Sequence, residues 1–246
     1  MKIKIILALL FLNSCLLQRV KEEEHIELIT NPQGEGISLV AEFTKGPAYN
    51  HPCLAIWLED LEGNYLETLL VTKYVATGIF AHGETQPGKW NVEPGSLRRP
   101  ATLPYWAHKR GIRASDGLYI PSPETPVPDA ITAATPKGNF SLDTRSTVFP
   151  PKKFRILLEI NQAWDSNRYW TNTSYSNDPD YFGSLQPSLV YAATFDTENG
   201  DDPVFLNAIG HGHPSGKDGK LFTDLTTLTT AKEIIHSVSV RLKLKP

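Results

Sequence analysis

Cysteine and methionine are scarce: the 246-residue chain has two Cys, Cys15 and Cys53, and a single Met. No apolar run approaches the roughly 20 residues that a helix needs to cross a bilayer. Charge of one sign is missing as well, since 24 Lys and Arg stand against 27 Asp and Glu for a formal net charge of −3. Without a basic stripe to neutralise phosphates, the chain is not expected to bind nucleic acid. There is no repeat, no phosphate-cradling glycine loop and no dinucleotide fingerprint. Ser215 stands in His-Pro-Ser-Gly rather than the Gly-x-Ser-x-Gly of a nucleophile elbow. Glu59 and Asp60 are neighbours on a strand and point to opposite faces, so they cannot act together on one substrate. No nucleophile, base and orienting group line up, and a non-enzymatic protein is expected.

What is present begins with Lys2 and Lys4, an apolar run from Ile5 to Leu12, and then Leu12-Asn13-Ser14-Cys15. A basic start, a short apolar stretch and a small residue directly before cysteine are the pattern of a bacterial lipoprotein signal. The expectation is a signal peptide over 1–14 and cleavage before a lipidated Cys15. A tether would span 15–24, and a single domain 25–246 would sit on the periplasmic side of a membrane. Removal of 1–14 leaves 22 basic against 27 acidic residues, a charge of −5. With Cys15 acylated only Cys53 remains, so no intramolecular disulfide is available and the fold rests on its own core.

Nineteen prolines and seventeen glycines, with abundant Thr, Val, Tyr and Ile, favour strands and turns over long helices. Strands are expected over 25–30 and 37–44, split by Asn31-Pro32-Gln33-Gly34. Leu54, Ile56 and Leu58 alternate with Ala55, Trp57 and Glu59, and Glu62-Gly63-Asn64 turns the chain into 65–72, which is a hairpin. From about 76 to 129 the alternation stops in a Pro- and Trp-rich stretch too long for a structureless connection, with a short helix expected near 103–110. Strands resume at 130–135 and at 153–161, where Phe154, Ile156, Leu158 and Ile160 share a face. A second hairpin is expected from 189–195 and 204–209. The last strand carries Ile234, His236, Val238, Val240 and Leu242 on one side, with His236 read as a core histidine. The fold class is therefore all-β, an antiparallel immunoglobulin-like β-sandwich with a long insertion at about 76–129.

A resemblance adds to this reading. Ala55-Ile56-Trp57-Leu58-Glu59-Asp60, Gly63-Asn64-Tyr65, Leu103-Pro104-Tyr105-Trp106, Asp129–Pro136, Leu158-Glu159-Ile160-Asn161, Gly210–Gly219 and Leu228-Thr229-Thr230-Ala231 follow one another. In that order they resemble predicted periplasmic proteins grouped as domain-of-unknown-function family 2271. The resemblance implies an exported β-sandwich like the immunoglobulin-like module of flagellar hook-cap proteins. It also implies association with a membrane flavin or haem-iron reductase as partner. Members often carry a Trp-Asp-Gly-x-Asp turn after the Ala-Thr-Pro segment, where this chain has Ser141-Leu142-Asp143-Thr144-Arg145, so no role of that loop is carried over.

Two sets of residues are candidates for ligand chemistry. His211 and His213, two apart in an extended segment, project to one face, and Asp218 or His82 would complete a set for Zn or Cu. The alternative is a glycine-rich turn whose histidines bond the loop together. The stretch 164–182 interleaves Trp164, Tyr169, Trp170, Tyr175 and Tyr181 with Asp165, Asn167 and Asn172, a mixture suited to glycan binding. Its alternative is an aromatic plug that seals a long loop onto the sandwich. The acidic run 196–202 departs from the calcium-loop pattern and reads as a solvated turn. Finally, Glu59, Asp60 and Glu159 would need partners if covered, and Arg99, Arg110 or Arg113 of the insertion would supply them as the insertion folds back over one sheet.

Overall fold

The structure, a computed structural model, describes residues 25–81, 83–86, 89–91, 93–128, 132–198 and 202–243. The signal and tether, Cys15 and His82 lie outside the described residues. In chain order the first half contains β1 (Ile26–Thr30), β2 (Ser38–Lys45), β3 (Cys53–Glu59), β4 (Tyr65–Thr72), α1 (Lys73–Thr77), β5 (Ile79–Phe80), β6 (Gly83–Gln86), β7 (Lys89–Asn91), β8 (Gly95–Ser96) and α2 (Pro104–Arg110). The second half adds β9 (Thr132–Ala133), β10 (Phe140–Arg145), β11 (Lys153–Asn161), α3 (Pro179–Phe182), β12 (Leu189–Asp196), β13 (Val204–Phe205), β14 (Asn207–His211) and β15 (Ile235–Lys243).

Two sheets carry the fold, one of order β1-β10-β2-β15-β13 and one of order β14-β12-β11-β3-β4-β9. Alternation along the strands sends one set of side chains between them. Leu39, Ala41 and Phe43 from β2, Phe140 and Leu142 from β10, and Val238, Val240 and Leu242 from β15 meet Leu54, Ile56 and Leu58 from β3 and Phe154, Ile156, Leu158 and Ile160 from β11. Phe43 and Phe140 stack across the β2–β10 pair at 4.2 Å. The sheets are mixed rather than wholly antiparallel, because β1 runs parallel to β10 and β9 parallel to β4. Both pairs join strands separated by long stretches of chain, which gives room for a parallel return.

The opposite face of the six-stranded sheet is apolar too. Ala55 and Trp57 of β3, Val71 of β4, Leu157 of β11, and Val190 and Ala192 of β12 form a second buried cluster with Val75, Ala76, Leu103, Tyr105, Trp106, Ala107, Ile120 and Val127 of the insertion. The insertion is thus a third layer, and the near-continuous apolar character of β3 and β11 follows from burial on both faces.

Three local expectations are corrected. His236 is exposed, because the β15–β2 register shifts between Ile235 and Ser237 and the extra residue of the bulge turns outward. The expected 189–195/204–209 hairpin divides: β14 pairs with β12, whereas β13 pairs with β15 in the other sheet, so the chain changes sheets across Leu206. The segment 140–145, not expected as a strand, is β10 and lies between β1 and β2.

Candidate functional site

The insertion is held by two buried carboxylates on the outer face of the six-stranded sheet. Glu59 and Arg155 are direct cross-strand partners in the β3–β11 register, and Arg155 Nη2 donates to Glu59 Oε2 at 2.8 Å. Trp57 Nε1 donates to Glu59 Oε1 at 2.9 Å, and Lys109 of α2 reaches the same carboxylate at 3.6 Å while donating to the Gly63 carbonyl. Among the described residues no cation pairs with Glu159. Its Oε1 and Oε2 accept the Tyr105 and Trp106 backbone N–H groups at 3.1 and 2.7 Å, and Ser188 Oγ donates to Oε1. α2 begins at Pro104 after Leu103, which offers no side-chain cap. A strand residue 53 to 54 positions away therefore satisfies the free amides of its first turn. Asp60 instead closes the β3–β4 turn on Asn64. The expected Arg99, Arg110 and Arg113 partners are corrected to Arg155, Lys109 and backbone, although the insertion does cover the sheet.

Burial pushes the Glu159 carboxyl up to about 7, against the lowering pull of Ser188 and the two amides. The folded state then holds this proton more tightly than the unfolded chain. Its contribution to stability is full below the ordinary carboxyl value of 4.5 and is lost as pH rises through about 7. The expected size is on the order of 3 kcal/mol. Urea midpoints measured from pH 4.5 to 8 for wild type and Glu159→Gln check this. The advantage of the wild type should shrink as pH rises, and parallel profiles would contradict the assignment.

At one end of the sandwich the loop 164–182 meets the glycine-rich segment 210–219. Asn167 is fully engaged, donating to Gln186 Oε1, the Thr227 carbonyl and Thr229 Oγ1 and accepting from the Tyr169 and Trp170 amides. Trp170 donates to Thr227 Oγ1, and its ring packs near Tyr175, Tyr181 and His211. Tyr169 keeps a more exposed ring, with the Arg168 guanidinium above it. Asn167 and Trp170 thus hold the loop down, and Trp164 lines a cavity to which neither of them contributes.

The histidines bond locally. His211 Nδ1 donates to the Gly212 carbonyl at 2.8 Å, while His213 Nδ1 accepts from the Ser215 amide at 3.0 Å. Both rings pack on Phe222, with centroid distances of 5.3 and 6.0 Å. Burial lowers both imidazoles below the usual histidine range. Asp218 accepts from the Lys220 amide within its own turn. Among the described residues no three His, Cys, Asp or Glu side chains gather as a metal set. Ser215 Oγ donates to Asp178, which also pairs with Lys217 at 2.7 Å, so the segment is tied to the aromatic loop. Gly212, Gly216 and Gly219 are contact points with the insertion. A Cβ at Gly212 would meet Pro104, Ser188 and Glu159, and one at Gly216, where φ is +69°, would lie 2.2 Å from the Pro100 carbonyl oxygen.

A different arrangement surrounds Trp164. The Arg99 guanidinium lies 4.9 Å from the Trp164 ring and 5.2 Å from the Phe80 ring. These three line a cavity of about 430 Å³ with Asn50, His51, Cys53 and Tyr74. Burial pushes the Cys53 thiol up to about 11, so it is a neutral wall group and not a nucleophile at neutral pH. Sequence reasoning named Trp164 and missed Arg99 as a site residue; an arginine within an aromatic-rich stretch was the available signal. Comparison of the chain with family models, curated proteins and solved structures finds no match.

Proposed function

We propose that the chain is an exported, lipid-anchored binding subunit. It is of immunoglobulin-like sandwich architecture and akin to the predicted periplasmic proteins of domain-of-unknown-function family 2271. The observation that supports a binding role is the cavity beside Arg99, a concave site of small-ligand size with aromatic walls and one buried charge. The buried carboxylates Glu59 and Glu159 serve the packing of the insertion, and Ser215 Oγ donates directly to an aspartate instead of to a histidine base. Leu12-Asn13-Ser14-Cys15 supports attachment to the periplasmic side of a bacterial membrane through Cys15.

Intact-mass analysis of protein expressed in a bacterial host, together with detergent phase partitioning, tests the anchor. The wild type should begin at an acylated Cys15 and enter the detergent phase, and Cys15→Ser should stay in the aqueous phase. A wild-type N-terminus elsewhere than residue 15, or without acyl mass, contradicts this reading.

A further inference from the structure

We infer that the Arg99 cavity is a binding site for a small organic carboxylate with a flat apolar body. This rests on the reading of the chain as a binding subunit and assigns the class of its ligand. Arg99 is half-buried, and its terminal Nη2 has no hydrogen-bond partner among the described residues. No ion pair to it is found among them either. The carboxylates on this side of the sheet are matched, Glu59 by Arg155 and Lys109 and Glu159 by two amides and a hydroxyl, so neither is left over for Arg99. Arg110, whose Nη1 is likewise without a partner among the described residues, lies over the Trp106 ring and lines no part of this cavity. Leaving a buried guanidinium without an acceptor is costly, and stacking between two rings recovers only part of that.

The ligand class follows from the walls. A planar guanidinium presents parallel N–H groups that fit the two oxygens of a carboxylate. The cavity's described lining contains no Asp or Glu to compete for it. It also supplies one permanent cation, which balances a monoanion, whereas a phosphate dianion calls for more cationic or amide donors than are present. Phe80, Trp164 and Tyr74 offer flat apolar faces, and Tyr74 and Phe80 already lie near-parallel at 5.9 Å. Asn50 and His51, bonded to each other at 3.1 Å, give a polar edge at the mouth. Backbone strain marks the same place. Of the four non-glycine residues with positive φ among the described residues, His51 at +50° and Trp164 at +55° both line this cavity. Such conformations gather at ligand sites because surrounding structure must hold them.

Calorimetry and tryptophan fluorescence on the full chain in detergent test the assignment, with benzoate as probe and benzyl alcohol and inorganic phosphate as controls. Benzoate should bind saturably with one site, and benzyl alcohol and phosphate at least tenfold more weakly. Arg99→Gln should abolish benzoate binding, and Arg99→Lys, which keeps charge but loses the fork, should weaken it at least tenfold. Circular dichroism melts of both variants establish that they are folded, as expected for Arg99→Gln, which removes an unmatched charge, and for Arg99→Lys, which keeps the charge on a side chain of similar length. Equal benzoate affinity in folded Arg99→Gln, preference for phosphate, or no saturation by benzoate at 10-fold above millimolar range would each overturn the carboxylate site. Because the anchor is read from N-terminal mass, either result can fail without the other.

Discussion

Glu159→Ala is expected to lower the free energy of unfolding by about 3–5 kcal/mol, measured by urea denaturation near pH 6. The substitution removes the acceptor of two backbone N–H groups in the first turn of α2, both buried and with no other partner on the chain's own cap residue, Leu103. It also strands Ser188 Oγ and opens a void against Gly212 and Pro104, whose atoms lie close to the carboxylate. Glu159→Gln keeps the volume and one acceptor oxygen, so its loss should be clearly smaller. Two equal losses would mean that the amides find other acceptors.

Trp106→Ala is expected to cost about 3–5 kcal/mol and to loosen the third layer before the sandwich. The indole is fully buried against the six-stranded sheet, donates to Thr68 Oγ1 at 3.0 Å, and carries the Arg110 guanidinium over its ring. Under mild proteolysis the variant should be cut within residues 98–128 while the β-sheet signal in circular dichroism persists. Simultaneous loss of both would show that the insertion and sandwich unfold as one unit. Glu159 accepts the main-chain amide of Trp106, which Trp106→Ala keeps, but both side chains hold the same first turn of α2, so the double variant should cost less than the sum of the singles.

Much of this architecture was legible as period-two alternation. The β3–β4 hairpin, the inward set Phe154, Ile156, Leu158 and Ile160, and the helix near 103–110 all appear where the pattern put them. So does the return of the insertion over one sheet. β10 carried the same signal in Phe140, Leu142 and Thr144, which alternate with Ser141 and Asp143, but polar residues and the adjoining turn hid it. Partner choice was not legible. The Glu59–Arg155 pair depends on the register of two strands 96 residues apart, and the donors to Glu159 are main-chain amides, which no side-chain pattern reveals. The glycines of 210–219 were read as turn formers, and Gly212 and Gly216 prove to be points where the backbone of one layer touches another. Arg99 was assigned to a carboxylate because charge suggests charge, whereas its neighbours are rings.

The position of β2 sets an order of assembly. Its two ladder partners are β10 and β15, so Ser38–Lys45 finds no sheet neighbour until residue 140, and its second neighbour ends at Lys243. A chain emerging from a ribosome or a translocation pore N-terminus first would hold β1 and β2 without a ladder partner until more than half of it had appeared, and one edge of β2 unpaired until almost all of it had. Closure is then a late, long-range event that makes folding slow and leaves those strands open to aggregation. Loss of the last dozen residues would remove β15 whole, and its effect would be felt at the opposite end of the sequence.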